Sequence, residues 1–181
     1  TSFVRRDGIV AWVRQHSDAS QDLWYTTYDP GPGLWKTETI HYLALNGTPA
    51  LDNLQIGDGV LVWRIKSQSG YQINFACYDP SFIAWKVGVT ASYLASPEIK
   101  VAQGVVACYR SPTELVFNVY DPFNEWQEGV YSDPNLINFF IQDFTVWAVI
   151  YLDIIGTYSV SMGYNGSWAP NTVTQPYAWS V

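Results

Sequence analysis

The chain of 181 residues is 48% hydrophobic and only 14% charged, which gives it apolar material for one folded core and too little charge for a disordered polyelectrolyte. A formal net charge of −7, with nine basic residues scattered along the chain, argues against a nucleic-acid partner, since phosphate binding needs clustered Lys and Arg. No apolar run reaches the roughly 18 residues of a membrane-spanning helix; the longest, from Phe144 to Ile155, is broken by Asp153. Aromatic residues make up 17%, with nine Trp and thirteen Tyr, and favour strands over helix interiors.

In chain order, residues 1–6 read as a first strand, Asp7-Gly8 as a hairpin turn, and Gly8-Ile9-Val10-Ala11-Trp12 as the opening of a second strand. Tyr28-Asp29-Pro30 then precedes Trp35. The same pair of anchors returns as Gly59-Val60-Leu61-Val62-Trp63 with Tyr78-Asp79-Pro80…Trp85, and as Gly104-Val105-Val106-Ala107-Cys108 with Tyr120-Asp121-Pro122…Trp126. The three Tyr recur at intervals of 50 and 42 residues. A fourth copy reads Asp143-Phe144-Thr145-Val146-Trp147 followed by Met162-Gly163-Tyr164…Trp168. In the second copy the pattern predicts strands over 50–56, 60–65, 71–78 and 84–93, and alternation along the third puts Cys77 toward the core. Residues 175–181 read as an extra strand with Tyr177 and Trp179 on one face.

A period of this length marks a propeller or a solenoid. The expected fold is all-β: four tandem four-stranded antiparallel repeats of about 45 residues, in one domain, with repeats at 1–48, 49–95, 96–133 and 134–174. In the signature, Pro removes an amide donor and ends the third strand, the Asp side chain bonds amides of the next turn, and the Trp packs on the Tyr across the hairpin. With this strand order, Tyr78-Asp79-Pro80-Ser81-Phe82-Ile83-Ala84-Trp85 resembles the kelch repeat of β-propellers, which implies that the single domain is β-propeller-like with kelch-type strand order; the Gly-Gly pair typical of kelch is replaced by Arg14-Gln15, Arg64-Ile65 and Tyr109-Arg110.

His16 and His41, the only histidines, lie in one repeat without a recognised metal spacing, so no metal and no cofactor is expected, and no Gly-x-Ser-x-Gly turn or phosphate loop is present. Asp29, Asp79 and Asp121 occupy equivalent positions, as turn caps do. The anchors Trp12, Trp63, Trp147, Trp35, Trp85, Trp126 and Trp168 are assigned to core or blade interfaces. Trp24, Tyr25 and Trp179 fall outside the anchors and are the candidates for stacking on a sugar. Pro176, Tyr177, Trp179 and Val181 are the candidates for an assembly strand added to a neighbour's sheet. Cys77 and Cys108 permit one disulfide. Asn46-Gly47-Thr48 and Asn165-Gly166-Ser167 match the glycosylation pattern. The chain opens at Thr1 rather than at an initiator Met, as a mature secreted product does and as a trimmed chain does too. The expected function is a secreted, non-catalytic module that binds or self-assembles in an extracellular structural role, its partner another copy of itself or a glycan. The alternatives are a lectin-like propeller and a carbohydrate-active enzyme or its accessory domain.

Overall fold

Left-handed dipeptides punctuate the chain where the sequence places its tightest turns. Asp7 and Gly8, Asp58 and Gly59, and Gln103 and Gly104 all have positive φ, the requirement of a type I′ hairpin whose twist matches that of its strands. The fourth copy sets Asp143 and Phe144 in the same conformation, with φ of 51° and 57°.

A computed structural model describes residues 2–68, 70–92, 94, 97–152 and 156–171. The first sheet contains β1 (Ser2–Arg6), β2 (Ile9–Gln15), β3 (Gln21–Asp29) and β4 (Leu34–Tyr42). The second contains β5 (Leu51–Gly57), β6 (Val60–Ser67), β7 (Gly70–Asp79) and β8 (Ala84–Ser92). β9 (Ile99–Ala102), β10 (Val105–Ser111), β11 (Glu114–Asp121) and β12 (Glu125–Ser132) form the third. β13 (Leu136–Gln142), β14 (Thr145–Leu152), β15 (Gly156–Tyr164) and β16 (Trp168–Asn171) form the fourth. Each sheet is an antiparallel meander in chain order. The expected all-β fold of four four-stranded repeats is the observed one, and the four strands expected in the second repeat match β5 to β8 within two residues at either end. The extra strand expected over 175–181, with Pro176, Tyr177, Trp179 and Val181, lies outside the described residues.

The chain divides into two compact units, Thr1–Ala95 and Ser96–Val181, each built of two sheets. Alternation supplies the core of each. In the first unit Leu23 and Tyr25 of β3 meet Leu61, Trp63 and Ile65 of β6. Gln21 adds a polar rung between the two sheets: its amide donates to the Leu51 carbonyl and its oxygen accepts the Leu51 N–H at 2.7 Å. In the second unit Leu115 and Phe117 of β11 pack with Phe139, Val146, Ala148 and Met162.

Gly88 and Gly129 lie directly across the ladder from Phe75 and Phe117, and the two rings cover them. A Cβ at Gly129 stands 2.1 Å from the Phe117 ring and 2.6 Å from that of Trp168, so neither large ring keeps its place once a methyl is added. Gly129→Ala is expected to destabilise the protein by about 1–3 kcal/mol, the cost of overpacking a core, read as a lower urea midpoint. Phe144→Gly is expected to act oppositely. It relieves a left-handed conformation that only Gly adopts freely, and the net gain, after the extra unfolded-state entropy of Gly, is up to about 1 kcal/mol in the same measurement.

Candidate functional site

The Tyr-Asp-Pro…Trp signature starts as local turn chemistry. Asp29 Oδ1 accepts the Gly31 N–H at 3.0 Å, Asp79 Oδ1 that of Ser81 at 2.8 Å, and Asp121 Oδ1 that of Phe123 at 2.8 Å. Each third strand stops at its Asp, and the Tyr and Trp pair across the following hairpin with ring centroids 5.3–5.7 Å apart. Turn capping and cross-hairpin packing are therefore as the sequence leads one to expect.

The second carboxylate oxygen does something the sequence does not announce. Asp29 Oδ2 accepts the hydroxyl of Tyr78 from the next sheet at 2.5 Å, and Trp85 Nε1 donates to the carbonyl of Lys36 at 2.9 Å. The second unit repeats the arrangement: Tyr164 donates to Asp121 Oδ2 at 2.7 Å, and Trp168 Nε1 to the carbonyl of Gln127 at 3.0 Å. Lys36 and Gln127 each follow the Trp of the accepting sheet. The signature is thus a docking device, with Tyr and Trp of one sheet donating to the Asp and backbone of the sheet before it.

Two expectations about the signature are corrected. The fourth copy is Tyr164-Asn165-Gly166…Trp168, because Tyr164 makes the contacts of Tyr78, whereas Met162 is buried in the core. Trp35 is not at a blade interface in the first unit: it is 61% exposed and its partner Tyr28 49%, since no sheet of that unit docks on their side. An open pocket of about 660 Å³ lies between the first and second sheets, lined among others by Tyr28, Asp29, Pro32, Tyr78, Pro80 and Ile83.

Of the sequence-derived sugar candidates, Tyr25 is also corrected. It is 2% exposed, packed on Trp63 and edge-on to Trp85, and has no face to offer a ligand. Trp24 is half-buried and parallel to Trp12 within 5° at 6.0 Å. Trp179 lies outside the described residues. Cys77 and Cys108 are buried free thiols, one in each unit, and burial pushes both up to about 12, which keeps them protonated and unreactive.

The histidines, separated by 25 positions in sequence, are brought together. The ladder sets Asp22 opposite His41, while His16 follows the end of β2. Asp22 bridges them: its Oδ2 accepts from His16 Nε2 at 2.8 Å and its Oδ1 from His41 Nδ1 at 2.7 Å. The bonds from His41 and then His16 hold the Asp22 carboxyl below its ordinary value.

No protein-family model and no curated protein matches the chain. Among solved structures it is similar to the β-propeller domain of the Trilobed protease from Pyrococcus furiosus, described as having an open velcro topology, at 8% identity and a TM-score of 0.32. The alignment covers 90% of this chain but only 65% of that one. The fold is β-propeller-like. Four consecutive four-stranded meanders, paired within each unit by one recurring contact, are the basis for that statement. Among the described residues no helix is long and apolar enough to cross a membrane.

The docking contact has a pH signature. Loss of hydration, then the bond to and charge of Asp121, push Tyr164 from 10.0 up to about 12, while the Tyr164 hydroxyl leads the bonds that hold Asp121 below 3.8. A raised phenol favours the folded state fully below pH 10.0 and ceases to do so as pH climbs through about 12. A lowered carboxyl contributes above 3.8 and is lost as pH falls through its folded value. The stability difference between the native chain and Tyr164→Phe is therefore expected to be full at neutral pH and to shrink between pH 10 and 12, as measured by urea unfolding at each pH.

Proposed function

We propose that the chain is a non-catalytic, kelch-like propeller module that associates with further copies of itself in an extracellular structural role. The observation that carries this reading is the exposed Tyr28–Trp35 pair. Its counterparts Tyr78–Trp85 and Tyr164–Trp168 each donate two hydrogen bonds to a neighbouring sheet, so the chemistry of its partner is defined: a carboxylate or amide oxygen and a backbone carbonyl, spaced as Asp29 and Lys36 are. A second copy of this chain carries such sheets. The two exposed rings also leave apolar area on that side of the first sheet. A head-to-tail contact of this kind extends into a filament unless its rotation closes.

Two further observations support the rest of the reading. The signature carboxylates Asp29 and Asp121 have both oxygens engaged in turn capping and docking, which leaves neither as a free general base. Asn46 and Asn165 of the two sequons are exposed in turns, where an extracellular glycosylation machinery reaches them.

A second reading, a glycan-binding propeller, is favoured by the parallel, half-buried Trp12 and Trp24. They sit in one cross-strand row with the polar Thr39, a surface suited to stacking on sugar C–H faces.

Sedimentation velocity over a range of concentrations separates the readings. The native chain is expected to form concentration-dependent oligomers, and Trp35→Ala with Tyr28→Phe to stay monomeric with an unchanged unfolding midpoint. A native chain that is monomeric throughout removes the assembly reading. If Trp24→Ala then abolishes binding on a glycan array, the glycan reading stands in its place.

A further inference from the structure

The three side chains at the end of the first sheet have the makings of a metal centre. His16 Nε2, Asp22 and His41 Nδ1 present one ligand atom each, all within 4.8 Å of one another. Three consecutive elements hold them: Asp22 and His41 are ladder partners, and Gln15, the residue before His16, pairs with Gln21, the residue before Asp22. The backbone after His16 is fixed as well. His16 N–H donates to the Ser20 carbonyl at 2.9 Å, Ala19 N–H returns a bond to the His16 carbonyl, and Asp18 Oδ1 accepts from both the amide and the hydroxyl of Ser20. The side chains are one-third, one-fifth and one-half exposed, so an ion has direct entry from solvent.

We propose that His16, Asp22 and His41 bind a divalent transition-metal ion of the Zn²⁺, Co²⁺ or Ni²⁺ class. Imidazole nitrogen with one carboxylate selects these ions over Ca²⁺ and Mg²⁺, which require a shell of oxygens. Bonds of about 2.0–2.2 Å around a tetrahedral centre put neighbouring ligand atoms roughly 3.3 Å apart. The two N···O distances of 2.8 and 2.7 Å must therefore open by about half an ångström. The half-exposed His41 ring has the freedom to move that far. On binding, the proton of each coordinating nitrogen passes to the other nitrogen of its ring, so both histidines ligate as neutral imidazoles and Asp22 as a carboxylate. Three protein ligands leave at least one position for water or for a group brought by a partner. The ion ties β2, β3 and β4 together at one end of the first sheet, stabilising it by mass action whenever the free metal exceeds its dissociation constant.

This inference is independent of the assembly reading and is tested on the untagged full chain after chelator treatment. Calorimetric titration with Zn²⁺ is expected to show one ion per chain, and Co²⁺ to give the visible absorption of a four- or five-coordinate nitrogen and oxygen site. His41→Gln, whose half-exposed position on β4 makes it compatible with folding, and Asp22→Asn should each weaken binding by at least the 10–100-fold that loss of a mere outer-shell partner costs. Glu38→Gln, an exposed acid on the same strand, should leave binding unchanged. Binding that survives His41→Gln and Asp22→Asn together overturns the assignment. So does a native chain that takes up none of the three ions while its imidazole NMR signals report intact bonds to Asp22; that outcome makes the cluster a hydrogen-bonded clasp and nothing more.

Discussion

The structure depends on how one sheet holds the next, and it does so through a tyrosine hydroxyl on an aspartate and an indole N–H on a backbone carbonyl. Apolar contact supplies most of the free energy of burying one meander against another, but it is non-directional and tolerates sliding. The two hydrogen bonds fix the register. Tyr78 can reach Asp29 Oδ2, and Trp85 the Lys36 carbonyl, in only one setting of β7 and β8 against β3 and β4. Around that frame the cores of Tyr25, Trp63 and Leu23, and of Phe117, Trp168 and Phe139, fill the space between sheets.

The same geometry explains why small residues stand where they do. Phe75 and Phe117 lie three positions before the signature Tyr, and each ring covers the glycine opposite it; the Phe117 ring also meets Trp168 of the fourth sheet edge-on. In the first sheet the equivalent position is Tyr25, paired with Glu38. With no glycine across the ladder to cover, that ring packs on Trp63 and the edge of Trp85. One backbone register thus accommodates two packing solutions.

Features written in local chemistry were legible from the sequence: the Asp7-Gly8, Asp58-Gly59 and Gln103-Gly104 hairpins, the strand ends at Asp29, Asp79 and Asp121, and the Tyr and Trp that face each other across a turn. What depends on partners far along the chain was not. Tyr78 and Tyr164 look like cross-hairpin packing residues until their acceptors, 49 and 43 residues earlier, are in place. The two-residue displacement of the fourth signature, from Met162 to Tyr164, follows from a repeat whose loops differ in length, so that counting from Tyr120 lands on a core residue. His16, Asp22 and His41 follow no ligand spacing because their meeting is set by the pairing of three strands. Trp35 shares its sequence context with Trp85, and only the absence of a docked sheet in its own unit distinguishes them.

Asp29 and Asp121 each use one oxygen to shut their own turn and the other to receive the following sheet. The bond that closes the turn also fixes where the second oxygen stands, so a finished accepting sheet offers its donor an acceptor already in place. In both units the accepting sheet is the earlier one in the chain, which is also the earlier to emerge during synthesis. The order in which the polypeptide is made therefore sets every such acceptor ahead of its donor: Asp29 before Tyr78, and Asp121 before Tyr164.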